Sequence, residues 1–542
     1  MTTRRRFVVF AVTVAIAGLT ADSRAQSQRA RQGAQTPAPI PGPIVQPSST
    51  FPLKQVAYIK PSNPSERAQF GHSVALSGDA NTLAVGSPAE SSASTGVNGN
   101  EADKSSYSSG AVYVFTRTGG RWVQQAYLKA SNAGTNDQFG NLVALSADGN
   151  TLAVSAYFES SRATGVNGNQ ADNSMEQSGA VYVFVRTGAS WSQQAYLKAS
   201  NTGEAEEGDQ FGFSLALSDD GNTLAAGAIG EDSADAKING NQADNTASGA
   251  GAVYVFARRG ATWSQEAYIK SASPGGADAN ELFGYSVGLS ADGNTLAVGV
   301  YDEAGSSNVI NGPEDNAAPG TGAIFVFTRS GTTWARQAYL KASTQDRADS
   351  LGAWVAISDD GNTVAAGALD EDSLTTGVNA VQPGHSGRIG TLDDTSAGAA
   401  YVFVRTGTTW FQQASFKASN SGIEDWFGVR LALSGDGNTL AASAPNEDGG
   451  AKGINGRQDD NSADEAGAVY MFTRTGATWA FQSYVKGSNT EKYDEFGSGV
   501  ALSRNGTMAV GARMEDSGAK GMNGNETDNS ATDSGAVYMF SY

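Results

Sequence analysis

Short runs of alternating apolar and polar residues, broken by glycine-rich turns, make up most of this chain. The segment Phe211-Gly-Phe-Ser-Leu-Ala-Leu217 alternates with period two and predicts a strand. Asp219-Asp-Gly-Asn222 follows as a tight turn, since Asp-Gly tolerates positive φ. Thr223–Gly227 predicts a second strand, and a long polar loop runs from Ala228 to Gly249. Gly251–Phe256 predicts a third strand, Gly260 a turn, and Trp263–Lys270 a fourth.

This unit recurs. Its opening Phe-Gly stands at Phe70, Phe139, Phe211, Phe283, Phe427 and Phe496, with Leu351-Gly352 in the fifth copy. Successive spacings of 69, 72, 72, 68, 76 and 69 residues suit a four-stranded blade with one long loop. The expected fold is therefore all-β: a seven-bladed β-propeller of four-stranded antiparallel blades over residues 51–542. The seventh copy has only three strands, ending at Gly535–Phe540, while Leu53–Lys60 matches the fourth-strand pattern at the other end. The N-terminal strand is expected to complete the last blade and close the ring.

Several residues recur at fixed places in the unit. Trp122, Trp191, Trp263, Trp334, Trp410 and Trp479 begin the fourth strand and are expected to pack between blades. Lys129, Lys198, Lys270, Lys341, Lys417 and Lys486 end it, and six arginines from Arg117 to Arg474 end the third strand. Both sets are expected to blunt the blades' outer edges. Gly86, Gly227, Gly299, Gly367 and Gly511 are expected at close packing near the axis.

The sequences Phe70–Leu76, Leu83–Pro88 and Gly110–Phe115 resemble the FG-GAP repeats of integrin α-subunits, and the likeness extends over residues 51–542. The resemblance implies a seven-bladed propeller whose loops on one face bind protein ligands. It also implies calcium loops of the pattern Asp-x-Asp-x-Asp-Gly between the first and second strands. Here that place holds only short turns such as Ala147-Asp-Gly-Asn150, too poor in oxygen ligands for calcium.

The ends and the charge narrow the class. Arg4–Arg6 followed by the apolar stretch Phe7–Leu19 and Ser23-Arg24-Ala25 predicts a signal peptide over 1–25, of ordinary secretory or twin-arginine type. Residues 26–50 form a Pro/Gln/Ser-rich linker. Periplasmic, secreted or cell-surface placement follows. The absence of cysteine excludes disulfides and thiolate chemistry. No later apolar run reaches transmembrane length. Net charge is −19, and removal of residues 1–25 takes four Arg and one Asp with it to leave about −22. Such a chain repels nucleic acid and is expected to act as a monomer.

The acidity is concentrated. The seven loops between second and third strands hold 30 of the 55 acidic residues. An acid also stands two residues before the strand-opening Phe or Leu in six copies: Asp137, Asp209, Glu281, Asp349, Asp425 and Asp494. Up-and-down topology puts both sets on one face. Two readings stand side by side. The Asn-Gly and Asp-Asn pairs are turn residues that cap their own backbone, or several oxygens per loop converge on calcium. The candidate metal ligands are Asp209, Glu231, Asp232, Asn239, Asn241 and Asp244 in copy three. Copy six offers Glu447, Asp448, Asn455 and Asp460; copy seven offers Glu515, Asp516, Asn523 and Asp528.

Signs of catalysis are sparse. The histidines are His72 and His385, and no nucleophile elbow or phosphate loop occurs. The functional expectation is an extracellular binding or adhesion scaffold, non-enzymatic, holding a protein or glycan ligand on the acidic face. The alternative is a carboxylate-based polysaccharide enzyme centred on residues 378–397 of the divergent fifth copy.

Overall fold

A computed structural model describes residues 52–202, 208–271, 280–380 and 395–542. The expected signal peptide and linker lie outside them, as do His385 and most of the fifth-copy insertion. The described chain forms seven antiparallel sheets, six of four strands and one of five. In the third blade the strands are Phe211–Leu217, Thr223–Ala228, Ala252–Arg259 and Thr262–Ile269, paired in chain order. The first strands of all seven blades line the central axis. The fifth strand of blade five, Gly377–Val378, is its long loop lying along the outer edge. Single bridges at Val97, Val166, Ile454 and Met522 mark the same path in other blades.

Alternation explains how the blades stack. Each sheet is covered on both faces, so both sets of alternate residues must be apolar. In the third blade Tyr254 and Phe256 turn to one side and pack with Phe211, Trp263 and Leu224 against Val181 and Val183 of blade two. Val253 and Val255 turn to the other side and meet Phe283, Phe325 and Phe327 of blade four. An aromatic face therefore seats on the small aliphatic face of its neighbour, and the core consists of seven such seams.

The Phe-Gly pair belongs to the seam as much as to its own blade. The amide of every strand-opening residue donates to a carbonyl of the preceding blade, as Phe211 does to Ser178 at 3.1 Å and Phe70 to Ser534 at 3.0 Å. The chain then turns back at Gly284 (φ +90°), and its carbonyl comes so close to Gly227 that a Cβ there would lie 2.1 Å away. In blades one, two and six this detour delays the first strand to Ser73, Val143 and Leu431. The tryptophans stitch the same seams: Trp263 Nε1 donates to Gln194 Oε1 of blade two at 2.9 Å. Four other tryptophans repeat this bond to the preceding blade.

The arginines correct one expectation. Five of the six stack on tryptophans rather than blunt edges. Arg258 lies over the Trp263 ring at 5.5 Å and reaches Gln194 and Thr151 of blade two. Arg186, Arg329, Arg405 and Arg474 likewise lie over their own tryptophans, 5.3 to 5.4 Å from the ring centres. Between blades seven and one, Val56 stands in the Gln place, and Trp122 is buried without that bond.

The ring closes as the repeat predicts. Lys54–Ile59 pairs antiparallel with Ala536–Ser541 and completes the last sheet. Chains starting at Gln26 and Pro52 are expected to melt alike. One starting at Pro61 should melt many degrees lower, with an open edge on the last blade. Equal melting of all three, followed by circular dichroism, would refute this closure.

Candidate functional site

The loop between second and third strands begins with Glu, and in all seven blades that Glu folds inward. Glu231 is 1% exposed; its carboxylate takes Lys270 Nζ at 2.6 Å and the Tyr268 hydroxyl at 2.7 Å. The equivalent pairs are Glu90–Lys129, Glu159–Lys198, Glu303–Lys341, Glu371–Lys417, Glu447–Lys486 and Glu515–Lys60. These lysines were expected on the outer edge; they are fully buried instead. The reason is local. Strand alternation places the last residue of the fourth strand under the loop, where the inward Glu stands. Burial pulls each of these lysines below the usual ammonium range, and the adjoining Glu opposes that pull. The network crosses seams as well: Asn201, in the linker from blade two, donates to Glu231 at 3.1 Å and accepts from Tyr254 at 2.5 Å.

The asparagine of the Asn-Gly element is equally regular, although in the fifth copy Ala380 follows it. Asn98, Asn167, Asn239, Asn311, Asn379, Asn455 and Asn523 all have φ between 51° and 56°. Each side-chain oxygen accepts a backbone N–H from the outer strand, at 2.9 Å for Asn239 and Tyr268. The Asn239 backbone N–H returns the bond to the Tyr268 carbonyl at 2.8 Å. The loop is thus zipped to the blade edge.

The other proposed ligands take local partners. Asp232, Asp448 and Asp516 each cap a backbone N–H seventeen residues on, at 2.7 to 2.9 Å. Asn241 caps Ala243, Asp244 caps Thr246, and Asp528 caps Ser530. The Asp460 carbonyl accepts from Gly450. Asp209 is buried at the start of its blade. The structure brings Glu231, Asp232 and Asn239 onto one loop scaffold, and their counterparts likewise in blades six and seven. It does not bring ligands of different blades together. Among the described residues, no three or more carboxylates or imidazoles share metal-holding geometry.

What remains outward is a ring of ionised groups. Asp103 and Asp172 are held below the usual carboxylate range by hydrogen bonds from Ser105 and Ser174, and Asp315 by the Ser306 amide and hydroxyl. The acids ahead of the first strands sit deeper. Asp137, Asp349, Asp425 and Asp494 each accept a backbone N–H three residues back, at 2.7 Å. Burial raises Asp137 to about 6 and Asp494 to about 8.

The axis holds residues that depart from the repeat. A cavity of about 70 Å³ is lined by all seven first strands. The residues one and two places after the Phe-Gly change from blade to blade while their neighbours repeat. His72, Asn141, Phe213, Tyr285, Ala353, Val429 and Ser498 take the first place. Ser73, Leu142, Ser214, Ser286, Trp354, Arg430 and Gly499 take the second. That contrast was the available signal. His72 is 2% exposed and contacts Asn141 at 3.4 Å; burial, then Arg513 and Arg430, holds it well below the usual imidazole range.

Seven blades sharing one repeat, with braced loops on one face and a variable axis, define a repeat propeller. The chain carries FG-GAP repeats: the FG-GAP repeat family matches residues 53–115, 122–184 and 479–540, and the intervening blades carry the same elements. No curated protein matches it. A solved structure from Bacteroides uniformis, named as a candidate 6-phosphogluconolactonase, is similar with a TM-score of 0.42 at 11% identity, over 77% of this chain and 85% of that one.

Lys270→Met leaves Glu231 buried without its cation and should cost about 3–5 kcal/mol. The double change Lys270→Met/Glu231→Leu should regain at least half; denaturant unfolding of both variants decides. A second expectation concerns pH. An unfolded Asp titrates near 3.9. Folded Asp494 keeps its proton up to about 8. Its contribution is therefore complete below about pH 4 and is lost as pH rises through 8. Asp494→Asn should flatten the fall in melting temperature between pH 5 and 9. Parallel curves for variant and wild type would count against it.

Proposed function

We propose that this FG-GAP propeller is an exported, non-enzymatic binding scaffold that holds a protein or glycan ligand on its acidic loop face. One observation carries the reading: all seven loops start from the same buried Glu–Lys pair, while most of their other described carboxylates keep contact with solvent. Fixed loops lose little entropy when a ligand binds, and repetition round a ring offers several equivalent contacts to one large partner. The surface chemistry suits ligands with cationic groups or with hydroxyls that donate to carboxylates. Among the described residues no helix is long and apolar enough to cross a membrane.

Calcium belongs to this proposal. The surface acids repel one another, and a hard divalent ion relieves that repulsion. Copies three, six and seven are the candidates, through Asp232, Asn241 and Asp244 in copy three, Asp448 and Asp460 in copy six, and Asp516 and Asp528 in copy seven.

Glycan-array and pull-down binding without turnover of the ligand would support the scaffold; release of cleaved glycan would refute it. Millimolar calcium, compared with magnesium and chelator at matched ionic strength, should raise the melting temperature. At a free concentration a hundredfold above Kd the gain is about 2.7 kcal/mol. An unchanged melting temperature with no heat of binding removes calcium from the reading.

A further inference from the structure

We propose that the axial cavity is a binding site for a short-chain organic carboxylate, with the carboxylate on Arg430 and the carbon chain against the ring of valines. This site is distinct from the loop face and does not depend on its function.

The argument starts from a substitution within the repeat. In blades one, three and four the second residue after the Phe-Gly is a serine. Each of these hydroxyls closes a seam by donating to the next blade's glycine carbonyl, at 3.0, 2.6 and 2.7 Å. Blade six has Arg430 in that place. Its Nε donates to the Ser498 carbonyl at 3.2 Å and its Nη1 to the Val429 carbonyl at 3.3 Å. Its guanidinium lies 4.3 Å from the centre of the Trp354 ring. Among the described residues no carboxylate lies within ion-pair distance of it. Arg513 makes the contrast, since its Nε meets Glu495 at 2.5 Å. A guanidinium has five N–H donors, so Arg430 keeps donors for a ligand. It is sunk in the channel wall but retains some surface toward the cavity.

Two further groups lack partners, one on His72 in the cavity lining and one on Tyr285, the residue before the lining Ser286. Among the described residues, His72 Nδ1 and the Tyr285 hydroxyl are buried with no hydrogen bond. Buried polar atoms are seldom left so. His72 stays neutral, so Arg430 supplies the cavity's charge, together with the nearby Arg513 that Glu495 already balances. Burial, and then the like charge of Arg513, lowers Arg430 to about 10, the direction that an added anion reverses.

Beside the three serines, the wall is mostly aliphatic: Val74, Val143, Val287, Val355 and Val500 take equivalent places in five blades. One cation, neutral hydrogen-bonding groups and an aliphatic ring fit a monoanion with a carbon chain better than a polyanion. The volume of about 70 Å³ accommodates roughly five waters, or an acid of roughly two to five carbons.

The far end of the axis is laced shut. Backbone N–H groups of Gly78, Ala147, Asp219, Ala291 and Asp359 each donate to the carbonyl of the next blade's turn, at 2.8 to 3.0 Å. Arg504 spans that end, with Nε at 2.8 Å from Asp359 and its Nη2 on Asp219. A ligand would therefore come from the end where the second-to-third loops lie.

The test is calorimetric titration of the full chain with acetate, butyrate and valerate, alongside butyramide, phosphate and sulfate. Butyrate should bind, and the isosteric but neutral butyramide should not. Arg430→Gln should weaken butyrate at least tenfold while melting no lower than wild type, since it removes an unpaired buried charge. Should that variant fail to fold, Arg430→Lys keeps the charge without the planar fork and should weaken butyrate while still excluding butyramide. Equal heats from butyrate and butyramide would overturn the proposal, as would unchanged affinity in the Arg430 variants. Binding of phosphate or sulfate in preference to butyrate would overturn the carboxylate assignment.

Discussion

The rest of this molecule depends on one buried ion pair, made seven times. A carboxylate at the start of each long loop meets an ammonium at the end of the blade's outer strand, and both are out of contact with water. Neither charge could stay buried alone. The pair therefore fixes the loop's first residue over the strand's last, and the loop asparagine ties the loop to the blade edge. In the seventh blade the lysine is Lys60 and the hydroxyl is that of Tyr58, both from the N-terminal strand. The interaction that shapes every loop thus also clasps the ring.

The seams between blades distribute stability differently. Each buries an aromatic face against small aliphatic residues, and each is tied by a Phe-Gly detour and, in five cases, a tryptophan bond. Neither side of a seam is complete within one repeat. A blade taken alone would expose both apolar faces, which accounts for the nearly constant spacing of the copies. Function is consequently free to vary in two places that the seams do not use: the outward tips of the loops and the first-strand side chains that face the axis.

The sequence itself determined the number of blades, their four strands, the place of the tryptophans between them and the closing strand. All of these follow from local periodicity and from the repeat, which average over many residues. It also located the acidic loops and offered two readings of their Asn and Asp residues; backbone caps account for most of the bonds these residues make. Residue types were not enough to place the lysines and third-strand arginines. A charge reads as surface until a partner is known, and the partner of Lys270 is Glu231, thirty-nine residues earlier in the chain. Only the folded blade puts the two together. The same holds for the axis. His72, Tyr285, Trp354 and Arg430 come from four blades and share no motif. Their meeting is decided by ring closure, because side chains far apart along the chain become neighbours only where seven first strands converge.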